Sequence, residues 1–222
     1  MKKFIIISSI MACMLLYYIE QIMVADYIFK TIAKIIIFIM IPLIYIKLIK
    51  KTKVSKAINL RRLNIKDLKL GILLGSVSLI IVISAYFVLN SFIDMNSIIR
   101  DLQTKNITPS NFIVIGLYIT FGNSFLEEIF FRGFIFLNLY ELNLKKTAYI
   151  YSSVLFAVYH IGIFITWFNI WLILLALIGL ILIGLVFNWL DTKSSNFINS
   201  WIVHILADVG VILVGLKIFE II

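Results

Sequence analysis

Two adjacent carboxylates and an arginine interrupt an apolar run at Phe125-Leu126-Glu127-Glu128-Ile129-Phe130-Phe131-Arg132-Gly133. The two histidines of the chain, His160 and His204, lie in later apolar runs, and Asp208 follows His204 at i+4. These residue types can hydrolyse an amide: a carboxylate or imidazole takes a proton from water, and preorganised donors receive the developing oxyanion. Helical spacing separates their tasks. Glu128 and Arg132 stand at i,i+4 and can pair on one face, whereas Glu127 is rotated by about 100° and is free for another partner. The His204–Asp208 spacing lets both side chains face one cavity, or lets the carboxylate orient the imidazole. Phe156 precedes His160 by one turn on the same face. Two histidines with Glu127, Glu128 or Asp208 also meet the count of a catalytic zinc site, three protein ligands and an open position. No His-Glu-x-x-His helix is present, and the ligands would be spread over three segments. No obligatory metal is therefore expected; a divalent ion such as zinc, if bound, would take His160, His204 and Glu127.

Charges placed at bilayer depth cost from about 2.5 kcal/mol upward, so such groups face a bundle interior and need partners. The whole chain has the composition for that setting. Of its 222 residues 63% are hydrophobic and 14% charged, the mean hydropathy is +1.10, and apolar runs of about 20 residues, one crossing of a ~30 Å hydrocarbon layer, recur throughout. The expected fold is all-α, a polytopic membrane helical bundle of about seven transmembrane helices in a single domain over 1–222. Residues 1–109 supply N-terminal helices and a basic loop, and 110–216 form the motif-bearing core. A soluble protein of this length would need far more polar surface.

The spans are read at about 4–24, 28–49, 70–92, 110–140, 147–166, 168–189 and 197–218. Met1-Lys2-Lys3 and the run after it resemble a signal peptide but lack a small-x-small site before Glu20, which favours a retained first span. Glu20, Asp26, Lys30 and Lys34 fall around the first turn, an interfacial setting in which the lysines would snorkel. Pro42 is expected to bend the second span. Gly71 and Gly75 give the third a small-xxx-small face for close helix contact. Thr108-Pro109-Ser110 marks the start of the fourth. Trp167-Phe168-Asn169 separates the fifth and sixth spans, or turns a re-entrant hairpin, and Asp191-Thr192-Lys193-Ser194-Ser195 turns the chain before the last. The four tryptophans read as interface and packing aromatics. Asn123, Ser124 and Asn188 could line the cavity or bond between helices. Cys13 is the single cysteine, so no intramolecular disulfide forms.

Net charge is +9, and its distribution gives the orientation. Lys2, Lys3, the cluster Lys47, Lys50, Lys51, Lys53, Lys56, Arg61, Arg62, Lys66 and Lys69, then Lys145, Lys146 and Lys193 fall on one side when seven spans are counted. That side should be cytoplasmic, with the N-terminus inside and the C-terminus outside the cell membrane. The 47–69 loop would then touch anionic lipid, and no nucleic-acid partner is expected. Depth provides a separate check. Glu127 and His160 each lie ~20 Å up their helices from that side and His204 roughly 12 Å. The three groups share one slab, reachable from the cytoplasmic leaflet.

Taken together, Glu127-Glu128-x-x-x-Arg132, Phe156-x-x-x-His160 and His204-x-x-x-Asp208 resemble, in order and on separate apolar spans, the three motifs of the CPBP intramembrane proteases. That family includes CAAX prenyl endopeptidases and bacterial Abi or bacteriocin-processing proteins, and the resemblance covers about residues 110–215. It implies that Glu127 and His160 activate a water for attack on a peptide bond. It further implies that Glu128 and Arg132 hold the charge balance while His204 and Asp208 steady the tetrahedral intermediate. The family has been described both as metalloproteases and as metal-independent glutamate proteases. Its last motif position is Asn or Asp; an ionised Asp208 cannot donate a hydrogen bond, so it is protonated, orients His204, or binds a cation.

The function expected is that of an intramembrane endopeptidase acting on a membrane-associated peptide or lipidated protein. Leader, signalling or bacteriocin peptides are favoured over prenylated proteins, because the Ile-, Lys- and Asn-rich composition is of a bacterial kind. Two other classes fit buried carboxylates and histidines: a non-catalytic bacteriocin-immunity or receptor-type membrane protein, and an ion-coupled transporter. Against the latter, no inverted pair of interrupted helices is visible.

Overall fold

The structure, a computed structural model, describes residues 1–53 and 68–222 in full and 65–67 by backbone alone. The basic residues Lys56, Arg61 and Arg62 and the side chains of Lys66 and Asp67 lie outside the described residues, and so does much of the proposed lipid-facing loop. Among the described residues there is no β-strand, and seven helices are long and apolar enough to cross a membrane. They are α1 (Lys2–Ile22), α2 (Tyr27–Lys50), α3 (Leu68–Phe92), α5 (Phe112–Glu141), α6 (Lys145–Phe164), α7 (Ile170–Ser194) and α8 (Ile198–Ile218). A short helix, α4 (Met95–Thr104), lies in the polar connection between α3 and α5. The expected all-α bundle of seven spans is what the chain forms.

Starts and stops follow local chemistry. The Asp26 and Asp94 side chains accept from the amides of Phe29 and Ser97, capping α2 and α4. Asn169 caps α7 through the amides of Trp171 and Leu172, so Trp167-Phe168-Asn169 joins two full spans and does not turn a re-entrant hairpin. α7 continues past the expected end to Ser194, and the turn falls at Ser195, in the left-handed region. The cause is Asp191, which is buried and accepts from Ser200 Oγ at 3.2 Å, and so belongs to the packed helix rather than to a polar loop.

Helix α5 lies at the centre, touching α1, α2, α6, α7 and α8. Its inner face is aromatic: Phe130, Phe131, Phe134 and Phe136 are buried, and Phe130 stacks on Phe38 of α2 with centroids 4.1 Å apart. The most extensive helix–helix contact in the bundle is between α3 and α8. There the small-xxx-small face acts as read. A Cβ on Gly71 would stand 2.9 Å from Asn199 Oδ1, and one on Gly75 2.5 Å from Leu206 Cδ1. Neither position admits a larger residue at this separation.

Two wide, π-type stretches, Tyr118–Asn123 and Ile129–Phe136, flank the single α turn Ser124–Glu128 that carries both glutamates. Such turns leave backbone carbonyls to be satisfied by other groups. Ser152 Oγ of α6 donates to the Phe131 carbonyl at 2.9 Å, and Asn138 Nδ2 donates to the carbonyls of Gly133 and Phe134 at 3.1 and 2.9 Å.

Candidate active site

The structure brings together the six ionisable residues of the motifs: Glu127, Glu128 and Arg132 from α5, His160 from α6, and His204 and Asp208 from α8. Glu127 Oε2 lies 3.4 Å from His160 Nε2 and 3.6 Å from His204 Nε2. Glu128 Oε1 takes two partners, His204 Nδ1 at 2.9 Å and Arg132 Nη1 at 3.4 Å. Asp208 Oδ1 stands 3.8 Å from His204 Nε2. The glutamates, the arginine and both histidines are buried. The 100° offset between adjacent glutamates thus sends Glu127 to the two Nε2 atoms and Glu128 to the far side of His204.

Hydrogen bonding fixes which nitrogen each imidazole presents. His160 Nδ1 lies 2.8 Å from the Phe156 carbonyl, and His204 Nδ1 lies 2.9 Å from a carboxylate. Both partners are acceptors, so both Nδ1 atoms donate. In the neutral rings the lone pair is then at Nε2, and both lone pairs face Glu127 Oε2. Three acceptors converging on one point repel unless something between them donates or carries positive charge: a water, a proton or a metal ion.

That donor set fits a metal. Ligand atoms of Glu127, His160 and His204 all lie within 4.8 Å of one another, which meets the count of three with an open position. Each histidine has the outer acceptor that metal-bound imidazoles have. Glu128 and Asp208 remain beyond this triad, and Glu128 serves as the outer acceptor of His204.

Arg132 is fully buried, with its guanidinium 4.1 Å over the Phe156 ring and 4.7 Å over that of Phe187. The carboxylates whose fields reach it are Glu128, Asp191 and Glu127. None of its nitrogens makes a well-directed hydrogen bond, and Glu127 Oε2, Glu128 Oε2 and Asp208 Oδ2 are likewise without a protein partner. Phe156 is the wall of the site, edge-on to His204 at 5.9 Å and tilted against His160 at 4.3 Å.

Two participants were not legible as such. Lys34 of α2 does not snorkel. It is 4% exposed, its Nζ donates to Glu127 Oε1 at 2.8 Å and to Asn123 Oδ1 at 2.5 Å. Asn123 Nδ2 donates to the same Glu127 oxygen at 3.0 Å. The signal available was that Lys34 follows Lys30 by four residues, on one face and a turn deeper, with no acid in its own span. Asp191, read as a turn residue, lies beside the Glu128–Arg132 pair instead. The undecided residues divide. Asn123 lines the site, Asn188 Nδ2 bonds across to Ser153 Oγ of α6 at 3.0 Å, and Ser124 Oγ accepts from Trp201 Nε1 at 3.0 Å. Trp201 is therefore a packing aromatic that joins α8 to α5, whereas Trp171 is exposed as an interface aromatic would be.

A second buried polar cluster sits one helix turn or more from Lys34. Glu20 of α1 pairs with Lys30 of α2 and, at 3.1 Å, with Lys105, next to α4. Lys105 also pairs with Asp101 at 2.9 Å, and Asp101 accepts from Trp167 Nε1 at 2.7 Å. Here Lys30 is held by Glu20 and does not extend to an interface.

Residues 109–210 match a family model described as type II CAAX prenyl endopeptidase Rce1-like. Over 78 residues the chain is 36% identical to the UPF0177 protein YxdF of Lactococcus lactis subsp. lactis (strain IL1403), an overlap of 35% of this chain and 37% of that protein. The chain thus aligns with little more than a third of the length of this curated relative. No solved structure matches. The match spans all three motifs in the order read from the sequence, so the segment 109–210 of this multi-pass membrane protein is similar to the Rce1-like family.

Proposed function

We propose that the chain is an intramembrane endopeptidase that hydrolyses a peptide bond of a membrane-associated peptide or lipidated protein, using water activated by Glu127 and His160. One observation carries the reading. Glu127 Oε2, buried and without a hydrogen-bond partner, faces the Nε2 atoms of two imidazoles from two other helices at 3.4 and 3.6 Å.

In the proposed cycle a water lies between Glu127 Oε2 and His160 Nε2. Glu127 takes one of its protons as the oxygen bonds to the substrate carbonyl carbon, and the C=O electron pair moves onto the carbonyl oxygen. His204 receives that oxyanion through Nε2. Because its Nδ1 already donates to Glu128, it does so as an imidazolium, and Glu128 and Asp208 face that charge. This gives Asp208 the orienting role among its three alternatives. When the intermediate collapses, the C=O bond re-forms, the C–N bond breaks, and the leaving nitrogen takes the proton held on Glu127. Arg132 holds the charge of Glu128 inside its aromatic wall. A zinc ion, when held by Glu127, His160 and His204, would supply Lewis-acid activation of the water.

The same reading orients the protein with the N-terminus and the 47–69 loop at the cytoplasmic face, against anionic lipid, and the C-terminus outside. Mass spectrometry of membrane peptides from cells carrying the wild-type chain or Glu127→Ala tests the function. Cleaved species that depend on Glu127 are expected. Identical peptide sets would count against hydrolysis; immunity that survives in Glu127→Ala would favour a non-catalytic protector, and Glu127-dependent proton flux would favour a transporter.

A further inference from the structure

One cation in the site comes from outside the motif-bearing segment. Lys34 sits in α2, far from residues 109–210, yet its ammonium reaches Glu127 Oε1 at 2.8 Å. We infer that Lys34 is a positioning residue of the proposed hydrolase: it holds Glu127 Oε1 and so aims Oε2 at the two histidines. The inference rests on the endopeptidase reading above.

The terminal torsion of a glutamate is broad and roughly two-fold, so a free carboxylate samples many orientations. Here Oε1 accepts from two donors, Lys34 Nζ and Asn123 Nδ2, and these three groups close a triangle because Lys34 also donates to Asn123 Oδ1. The ammonium is itself held in place, with the Tyr159 and Phe38 rings 5.0 and 5.8 Å away. A charge-assisted bond of this kind is short, directional and strong. Lys34 and Asn123 thus hold one carboxylate oxygen and leave the second to the imidazoles. A small cavity between α1, α2 and α6 borders Lys34, lined also by Glu20, Lys30, Tyr159 and Gly162. It borders the position of the ammonium, where truncation of Lys34 to Ala would leave room for a small amine.

The test uses the full chain in liposomes, membrane peptide extract as substrate, and the rate of appearance of Glu127-dependent species as readout, with thermal unfolding alongside. Lys34→Met and Lys34→Ala are expected to slow these species by about 100-fold, the scale of a lost bond to a buried charge. Lys34→Arg retains more activity than Lys34→Met, and ethylammonium raises the Lys34→Ala rate with concentration while leaving the wild type unchanged. A Lys34→Met chain as fast as wild type overturns the inference, as does a slow Lys34→Ala chain that neither amine nor arginine rescues. Should the Lys34 variants fail to fold, Asn123→Ala removes the second donor without a charge; it should slow cleavage about tenfold, and an unchanged rate overturns the inference. Identical products from wild type and Glu127→Ala defeat the hydrolase reading and this inference with it, whereas Glu127-dependent products indifferent to Lys34 defeat the inference alone.

Discussion

Two buried ionic clusters share this bundle and treat their charges differently. In the outer one, Glu20 meets Lys30 and Lys105, Lys105 meets Asp101, and Asp101 receives the Trp167 indole. None of these side chains carries a buried polar atom without a hydrogen-bond partner. In the inner one, Glu127 Oε2, Glu128 Oε2, Asp208 Oδ2 and all three Arg132 nitrogens do. Folded proteins satisfy buried polar groups, and exceptions call for an explanation. The outer cluster is a closed network that ties α1 and α2 to α4. The inner one leaves oriented groups unpaired, which the proposed hydrolysis would use for a water and a substrate carbonyl.

The largest effect separates the two at once. Glu127→Gln is expected to slow cleavage by about 10³-fold, within the range of a lost general base, while thermal unfolding shows that the chain still folds. If the same loss followed Glu20→Gln, the division between the clusters would fail. Next, Glu20→Ala leaves Lys30 and Lys105 buried without their shared acid. It should cost about 3–5 kcal/mol of stability, as broken buried pairs do, measured by unfolding in detergent with the cleavage rate of the folded fraction unchanged. A smaller effect is expected of Asp208→Asn. If Asp208 orients His204, the substitution slows cleavage about tenfold, on the scale of a changed outer-shell partner; a rate equal to wild type would remove that role.

The smallest effect is a pH dependence of the outer cluster. Burial disfavours the Lys105 ammonium, but Glu20 and Asp101 more than offset this and raise its pKa above the ordinary value. A raised lysine contributes stability that is complete below its unfolded value of about 10.4 and is lost as pH rises through the folded value. Melting temperature should therefore fall faster above about pH 10.4 in wild type than in Lys105→Met. Parallel curves would show that Lys105 is not held in this way.

The sequence displayed the inner cluster better than the outer. Glu127, Glu128, Arg132, His160, His204 and Asp208 were visible because ionisable residues stand out against lipid-grade apolar runs and because i,i+4 spacing assigns them to faces. Helix count and a close-contact face on α3 at Gly71 and Gly75 were visible for related reasons, though not that α8 is its partner. Lys34 and Asp191 were not. Each lies near the end of an apolar run, where a charged side chain can usually reach water, and nothing local distinguishes that from burial against another helix. Pairings such as Lys34–Glu127 or Glu20–Lys105 span 85 residues or more. They are set by how α2 and α4 pack, which periodicity does not encode.

The wide turns on either side of the glutamates have a consequence for how such chains can change. A π-type stretch holds an extra residue per turn, so removing one residue from Tyr118–Asn123 or Ile129–Phe136 would restore ordinary α winding. The span would survive, and because the widened turn had absorbed that residue within about one rotation, side chains beyond the deletion would keep nearly the same faces. A single in-frame codon loss could thus be tolerated within either wide turn, whereas the same loss from the α turn Ser124–Glu128 between them would rotate the helix beyond it by about 100° and part the acids from their imidazoles.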